Sequence, residues 1–146
     1  MGSSGAEKNA TLSIGNAMAE LQRVVAFVEK FGVDNDILQD ATNALNVSLD
    51  ELLNNTISYG YKDELQHSIT IRLSLAGGWL IAEIRDDGKP FDPREIGSEP
   101  IEGSLRMRKV GGLGLRFVKA LMDGVDYERR GQYNIVKIKK KLAGGT

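Results

Sequence analysis

Three groups of residues have types and spacings suited to chemistry. Glu51 and Asn55 stand four residues apart in the segment E-L-L-N-N-T-I-S-Y-G-Y. On a helix this puts both on one face, roughly 40° apart around the axis. A carboxylate can serve as a general base, and an amide oxygen is a hard ligand suited to Mg²⁺. Ala44 and Ser48 share the face, small residues that leave room for another group to approach. Taken alone, the pair also fits a solvated helix surface. The second group, I-R-D-D-G-K-P-F-D-P, runs from Ile84 to Pro93. A strand ending there leads into an acidic turn. Asp86 could accept from an exocyclic amine such as that of adenine, and Gly88 lets backbone come close to a ligand. An ordinary Asp-Gly turn reads the same way. The third group is Val110-Gly111-Gly112-Leu113-Gly114-Leu115-Arg116. Free N–H groups and the positive dipole end of a helix starting here would suit a phosphate, with a glycine hinge as the plainer alternative. Arg106, Arg108 and Lys109 could neutralise phosphate charge or keep a loop soluble. The spacing is neither a Rossmann G-x-G-x-x-G nor a P-loop.

The chain that carries them has 146 residues, no cysteine and a net charge of -1, with 41% hydrophobic and 27% charged residues. That is the composition of one globular domain. Without cysteine there is no disulfide scaffold, thiolate zinc site or cysteine nucleophile. No apolar stretch approaches the ~18 residues of a membrane span, and the start lacks a signal-peptide core. A cytoplasmic protein with no membrane partner is expected. Balanced charge argues against a nucleic-acid partner. Lys137, Lys139, Lys140 and Lys141 alternate with Val136 and Ile138 as on a solvated outer strand face. Glycine is in excess: there are 17, six of them between Gly88 and Gly114. Residues 1–9 read as a tag remnant and disordered start, 10–142 as one domain, and 143–146 as a frayed end.

Periodicity supplies the elements that must position these groups. A first strand fits Thr11 to Ile14. A helix fits Asn16 to Phe31, with Met18, Leu21, Val25 and Val28 as its apolar stripe and Gly32 as its stop. Asp34 is the expected N-cap of a second helix, from about Asn35 to Tyr59, with Leu38, Leu45, Leu49, Leu52 and Thr56 along one side. Strands fit Ser68 to Leu75 and Trp79 to Arg85, joined at Gly77-Gly78. The stretch from Asp86 to Gly112, with a helical turn near Arg94 to Ile96, is too long for a plain connection and suits a lid. A helix beginning near Gly114 stops at Gly124, and a hairpin over Asp126 to Leu142 turns at Gly131-Gln132. His67 falls at a strand entry, as a surface residue. The order implies an α+β fold: a two-layer α/β sandwich with a mixed or antiparallel sheet and helices on one face.

A helix with E-x-x-x-N, a strand ending in D-x-G, a long loop and G-x-G at a helix start resemble, in this order, the GHKL (Bergerat-fold) ATPase/kinase superfamily. The three segments match its N, G1 and G2 boxes. Tyr59-Gly60-Tyr61, D-D-G-K-P-F-D-P, and G-G-L-G-L-R-F-V-K followed by Met122-Asp123 are similar to the small bacterial anti-sigma factor serine/threonine kinases, across most of residues 10–142. The resemblance implies ATP and Mg²⁺ as cofactors, with Glu51 as catalytic base and Asn55 as metal ligand. It implies Asp86 on the adenine amine, Gly88 beside the base, and Gly112, Leu113, Gly114 and Leu115 at the phosphates. Gly97 to Val110 would be the lid, bringing Arg108 or Lys109 near the terminal phosphate. Gly97 and Gly103 would let that lid bend. The implied partners are a sigma factor, a STAS-domain anti-anti-sigma protein and a second copy of the chain. The alternative is an ATP-binding partner-switch scaffold that regulates by docking. Pro90 stands where the superfamily's second G1 glycine would be, and no threonine lies between Gly131 and Asn134 to supply a further nucleotide contact.

Overall fold

The computed structural model describes residues 8–61, 63, 65–95 and 112–142. Its elements are β1 (Asn9–Gly15), α1 (Leu21–Asp34), α2 (Gln39–Tyr59), β2 (Ser68–Ala76), β3 (Trp79–Asp86), α3 (Gly112–Leu121), β4 (Gly124–Arg130) and β5 (Tyr133–Lys141). Short 3-10 turns occupy Met18–Glu20 and Pro93–Glu95. The five strands form one sheet in the order β1-β2-β3-β5-β4, with every neighbouring pair antiparallel. The sheet is therefore antiparallel rather than mixed. Hairpins join β2 to β3 and β4 to β5, while α1 and α2 lie between β1 and β2 and α3 precedes β4; the last hairpin inserts β5 between β3 and β4. The β2–β3 turn places Gly77 at φ 57 and Gly78 at φ 85, a region that glycine enters without a Cβ clash.

Alternation decides which side of the sheet is covered. Ile69, Ile71, Leu73, Leu80, Ala82, Ile84 and Ile138 turn to one face and are almost fully buried, against Leu45, Leu49 and Leu53 of α2. Burial of each large side chain contributes about 1.5–3 kcal/mol. α2 lies between α1 and α3 as the spine of the helical layer. The site-bearing helix is thus the best-anchored one.

The structure corrects several expectations. Asn9 already belongs to β1, one residue before the expected domain start. The first α-helix begins at Leu21, and its buried stripe is Val24, Val28 and Phe31, while Met18 and Val25 are exposed. Gly32 does not stop it. A Cβ at Gly32 would come within 2.6 Å of Thr42 Cγ2, so this glycine serves the close crossing of α1 and α2. Asp34 is the last residue of α1 rather than an N-cap, and the chain breaks at Asp36 with φ 55. α2 then starts at Gln39 behind Leu38, whose side chain offers no cap and is exposed. Lys140 leaves the outer face: its Nζ donates to the Leu121 carbonyl at 2.9 Å, where a cation complements the C-terminal dipole of α3. Lys139 and Lys141 do lie outward, over the ring of Trp79.

Candidate functional site

Asn55 and Asp86 line one pocket, whose apolar walls include Leu52, Ile84, Phe91 and Val136. α2 supplies the first residue and the end of β3 the second. Asn55 is 6% exposed, and its Nδ2 donates to the Glu51 carbonyl at 3.0 Å. That bond fixes the amide's orientation, since only nitrogen can donate to a carbonyl. Oδ1 is consequently the atom left for a ligand, and an amide oxygen suits a hard cation. Glu51, one turn earlier, is half-buried. Burial, aided by neighbouring Asp50, lifts its carboxyl above the ordinary glutamate range. The same helix face does not hold the expected open space, because Ala44 and Ser48 are buried.

Asp86 is 4% exposed, and its Oδ1 accepts from Gly88 N at 2.8 Å and from Asn134 Nδ2 at 3.0 Å. Burial raises its pKa, while the Asn134 and Gly88 bonds and the Arg129 charge pull it back down. Oδ2 is the oxygen left to accept from an incoming amine. The acidic turn is tied from several sides. Lys89 N donates to the Gly60 carbonyl at 2.8 Å, just past the end of α2. Arg129 Nη1 donates to the Gly88 carbonyl at 2.8 Å, and Asn134 Nδ2 to the Lys89 carbonyl at 2.8 Å. Gly88 also has a packing task. A Cβ there would meet the Gly60 carbonyl oxygen at 2.7 Å and Asp86 Oδ1 at 3.0 Å, so its bareness lets the turn sit on the helix end.

Sequence reasoning missed Asn134, Arg129 and Tyr127. The Tyr127 hydroxyl donates to Asn134 Oδ1 at 2.6 Å, fixing the amide that grips Asp86. Asn134 faces Asp86 across the β3–β5 ladder and lines the pocket, in the region where no threonine was found. Its one signal in the sequence was a polar residue entering the apolar run Ile135-Val136, which calls for a buried partner.

Gly112, Leu113, Gly114 and Leu115 form the first turn of α3, which packs on α2. That helix starts at Gly112 rather than near Gly114. Arg108 and Lys109 lie outside the described residues, as do Arg106, Gly97, Gly103 and Gly111. Among the described residues, no cluster of three acidic or histidine side chains is placed to hold a metal. His67 is not a bare surface residue: its ring lies between two carboxylates, Asp63 and Asp87.

Comparison with known proteins agrees with this fold. A family model described as a histidine kinase-like ATPase domain matches residues 14–140. The serine/threonine-protein kinase BtrW of Bordetella bronchiseptica is 31% identical over 90 residues, 62% of this chain and 63% of that protein. The serine-protein kinase RsbW of Listeria innocua is 29% identical over 59% of this chain and 57% of its own length. The similarity thus spans about three fifths of these curated relatives. An anti-sigma F factor of Clostridium botulinum is 27% identical over 82% of this chain and 81% of its own. A crystal structure of RsbU and RsbW domains from Mycobacterium tuberculosis superposes with a TM-score of 0.65 at 15% identity, covering 91% of this chain and 32% of that one. At that identity the superposition speaks for the fold, and it is the one derived above. The family match covers the α2 face, the acidic turn and the start of α3 together, and on it the chain belongs to the histidine kinase-like ATPase domain family.

Proposed function

We propose that the chain is an ATP-dependent protein serine/threonine kinase that acts as an anti-sigma regulatory factor. It phosphorylates a STAS-domain anti-anti-sigma antagonist and sequesters a sigma factor when the antagonist is unavailable. The observation that carries this reading is the shared pocket: Asn55 and Asp86 face one cavity, with Glu51 one helical turn away and its pKa raised. A module that only bound nucleotide would have no use for that carboxylate. The names of the relatives, two kinases and an anti-sigma factor, support the same choice.

Asp86 Oδ2 accepts from the adenine amine, while the apolar walls of the pocket cover the ring faces. Asn55 Oδ1 would hold Mg²⁺, and the oriented amide fits this role because its nitrogen is already committed to the helix. When bound there, the ion would supply charge neutralisation for the phosphates. The backbone amides of Gly112, Leu113, Gly114 and Leu115 receive phosphate oxygens at the positive end of α3. Arg108 or Lys109 approaches the terminal phosphate. Glu51 takes the proton of the acceptor serine or threonine hydroxyl as its oxygen bonds to the γ-phosphorus. The bond from that phosphorus to the bridging oxygen breaks, and ADP leaves with the electron pair. The protein works as a homodimer in the cytoplasm.

Incubation with Mg-ATP and a STAS-domain antagonist, followed by assay for phosphoserine and phosphothreonine, tests the reading. Transfer to the antagonist that disappears in Glu51→Ala is expected. Transfer undiminished in that variant overturns the assigned base, and failure to bind ATP overturns the nucleotide site. Nucleotide binding without any transfer would favour the docking scaffold.

A further inference from the structure

The acidic turn that presents Asp86 has a fastening unlike its others, made by the only histidine in the chain. His67 immediately precedes β2, and its backbone N–H donates to Asn16 Oδ1 at 3.1 Å, which holds it at the end of the β1–β2 ladder. Its Nδ1 lies 3.1 and 3.3 Å from the two oxygens of Asp87, and its Nε2 lies 2.8 Å from Asp63 Oδ1. Asp63 also accepts from Leu65 N at 3.1 Å, so the connection from α2 to β2 is drawn into the same knot. The Tyr61 ring stacks on the imidazole with centroids 4.3 Å apart and planes 20° from parallel.

A neutral imidazole carries one N–H and can satisfy one of these carboxylates, leaving a lone pair against the other. Both contacts are hydrogen bonds only when both nitrogens carry protons. Among the described residues the groups facing His67 agree on this state: Asp63 from the connection, Asp87 from the turn, and the π-face of Tyr61, with Asp86 one residue beyond. None of the four is a cation, and an aromatic face favours one. The Asp63 and Asp87 bonds raise the histidine pKa from its ordinary 6.5, against a smaller opposing effect of burial. His67 is thereby poised to change charge near physiological pH.

We infer that His67 is a positioning residue for nucleotide recognition: its doubly protonated ring clasps Asp63 and Asp87 and so steadies the turn that presents Asp86. Loss of the proton releases one arm and leaves three aspartates of like charge around the turn. This inference rests on the nucleotide reading of the pocket above.

The test uses the full chain with ADP as probe. ADP affinity measured by calorimetry from pH 6 to 8.5 is expected to fall by about three- to fivefold as the imidazole deprotonates, the scale of a partly exposed ion pair. In His67→Gln the affinity is expected to be weaker at pH 6 and to lack this step. Its remaining slope accounts for Asp86 and for the phosphate of ADP itself. NMR of the single imidazole follows the proton without any nucleotide, and Asp87→Asn is expected to lower its pKa. An imidazole that titrates at or below the ordinary value, or a His67→Gln profile that parallels wild type, overturns the inference. A raised imidazole pKa that Asp87→Asn lowers, in a protein that binds no ADP at any pH, would instead overturn the nucleotide reading and leave the clasp standing.

Discussion

The two carboxylates of the site make an instructive pair. Burial lifts both Glu51 and Asp86 above their ordinary pKa, yet their mechanical settings are opposite. Asp86 closes a strand, and one of its oxygens is gripped by two hydrogen bonds from a turn that is itself tied to α2, β4 and β5. Glu51 stands on an anchored helix, but among the described residues no hydrogen bond reaches its carboxylate, and only its backbone carbonyl holds Asn55. A group that recognises a fixed amine gains from immobility. A group that must pick up a proton gains from a raised pKa and free oxygens. On the proposed reading, the same cause, desolvation, serves recognition at one position and proton transfer at the other, according to whether hydrogen bonds accompany it.

The largest effect expected from breaking this pair is on Glu51. Glu51→Gln keeps the shape and removes the base, so phosphoryl transfer should fall by about 10²–10⁴-fold, with ADP affinity retained. On the proposed mechanism, wild-type transfer requires the ionised carboxylate. Its rate should therefore rise with pH through the Glu51 pKa, in a window above that of an ordinary glutamate, and the variant should lose this limb. Single-turnover rates against pH check both points. A variant that keeps the limb would move the base elsewhere.

Asp86→Ala should do the converse. Removal of a hydrogen bond to a charged group costs about 1.5–3 kcal/mol, so ADP should bind about 10- to 100-fold more weakly by calorimetry. At saturating nucleotide the transfer rate should largely recover. Persistent loss at saturation would mean that Asp86 also shapes the reacting geometry, and the division between the two carboxylates would blur.

Gly88→Ala tests whether immobility of the turn is built by close packing. The new methyl group would press on the Gly60 carbonyl oxygen at 2.7 Å, and backbone cannot swing aside as a long side chain would. Overpacking of this kind costs about 1–3 kcal/mol, readable as a shift of the urea midpoint. Unchanged stability would show that the turn yields, and that Asp86 is held by Asn134 rather than by its own loop.

Glu51, Asn55 and Asp86 were legible in the sequence because each sits on an element with strong local periodicity, the long helix and the alternating strand. Two hairpin signals pointed to antiparallel pairs and left open whether the whole sheet was antiparallel or mixed. What was not legible depends on contacts between distant segments. Gly32 looks like a helix stop until Thr42 is seen against it, and the packing of Gly88 on Gly60 shows only in three dimensions. His67 and Asn134 meet their partners across 20 and 48 residues of chain. No local pattern encodes pairings of that kind, and the buried asparagine was the one residue whose polarity announced a need for them.

Asn134 also carries the smallest and most discriminating prediction. Its N–H stabilises the ionised form of Asp86, and a net hydrogen bond of about 1 kcal/mol corresponds to about a fivefold loss of ADP affinity in Asn134→Ala. A packing defect alone could cause a loss of that size, so the pH dependence decides. Removing a donor that lowers the Asp86 pKa must raise that pKa further. As pH falls, Asp86 takes up its proton and can no longer accept through both oxygens, and this weakening should begin at higher pH in the variant than in wild type. Calorimetric titrations of ADP down to mildly acid pH would detect the displacement. Parallel profiles, offset only in affinity, would mean that Asn134 supports the turn without tuning its carboxylate. The contrast between a gripped Asp86 and an ungripped Glu51 would then rest on the backbone alone.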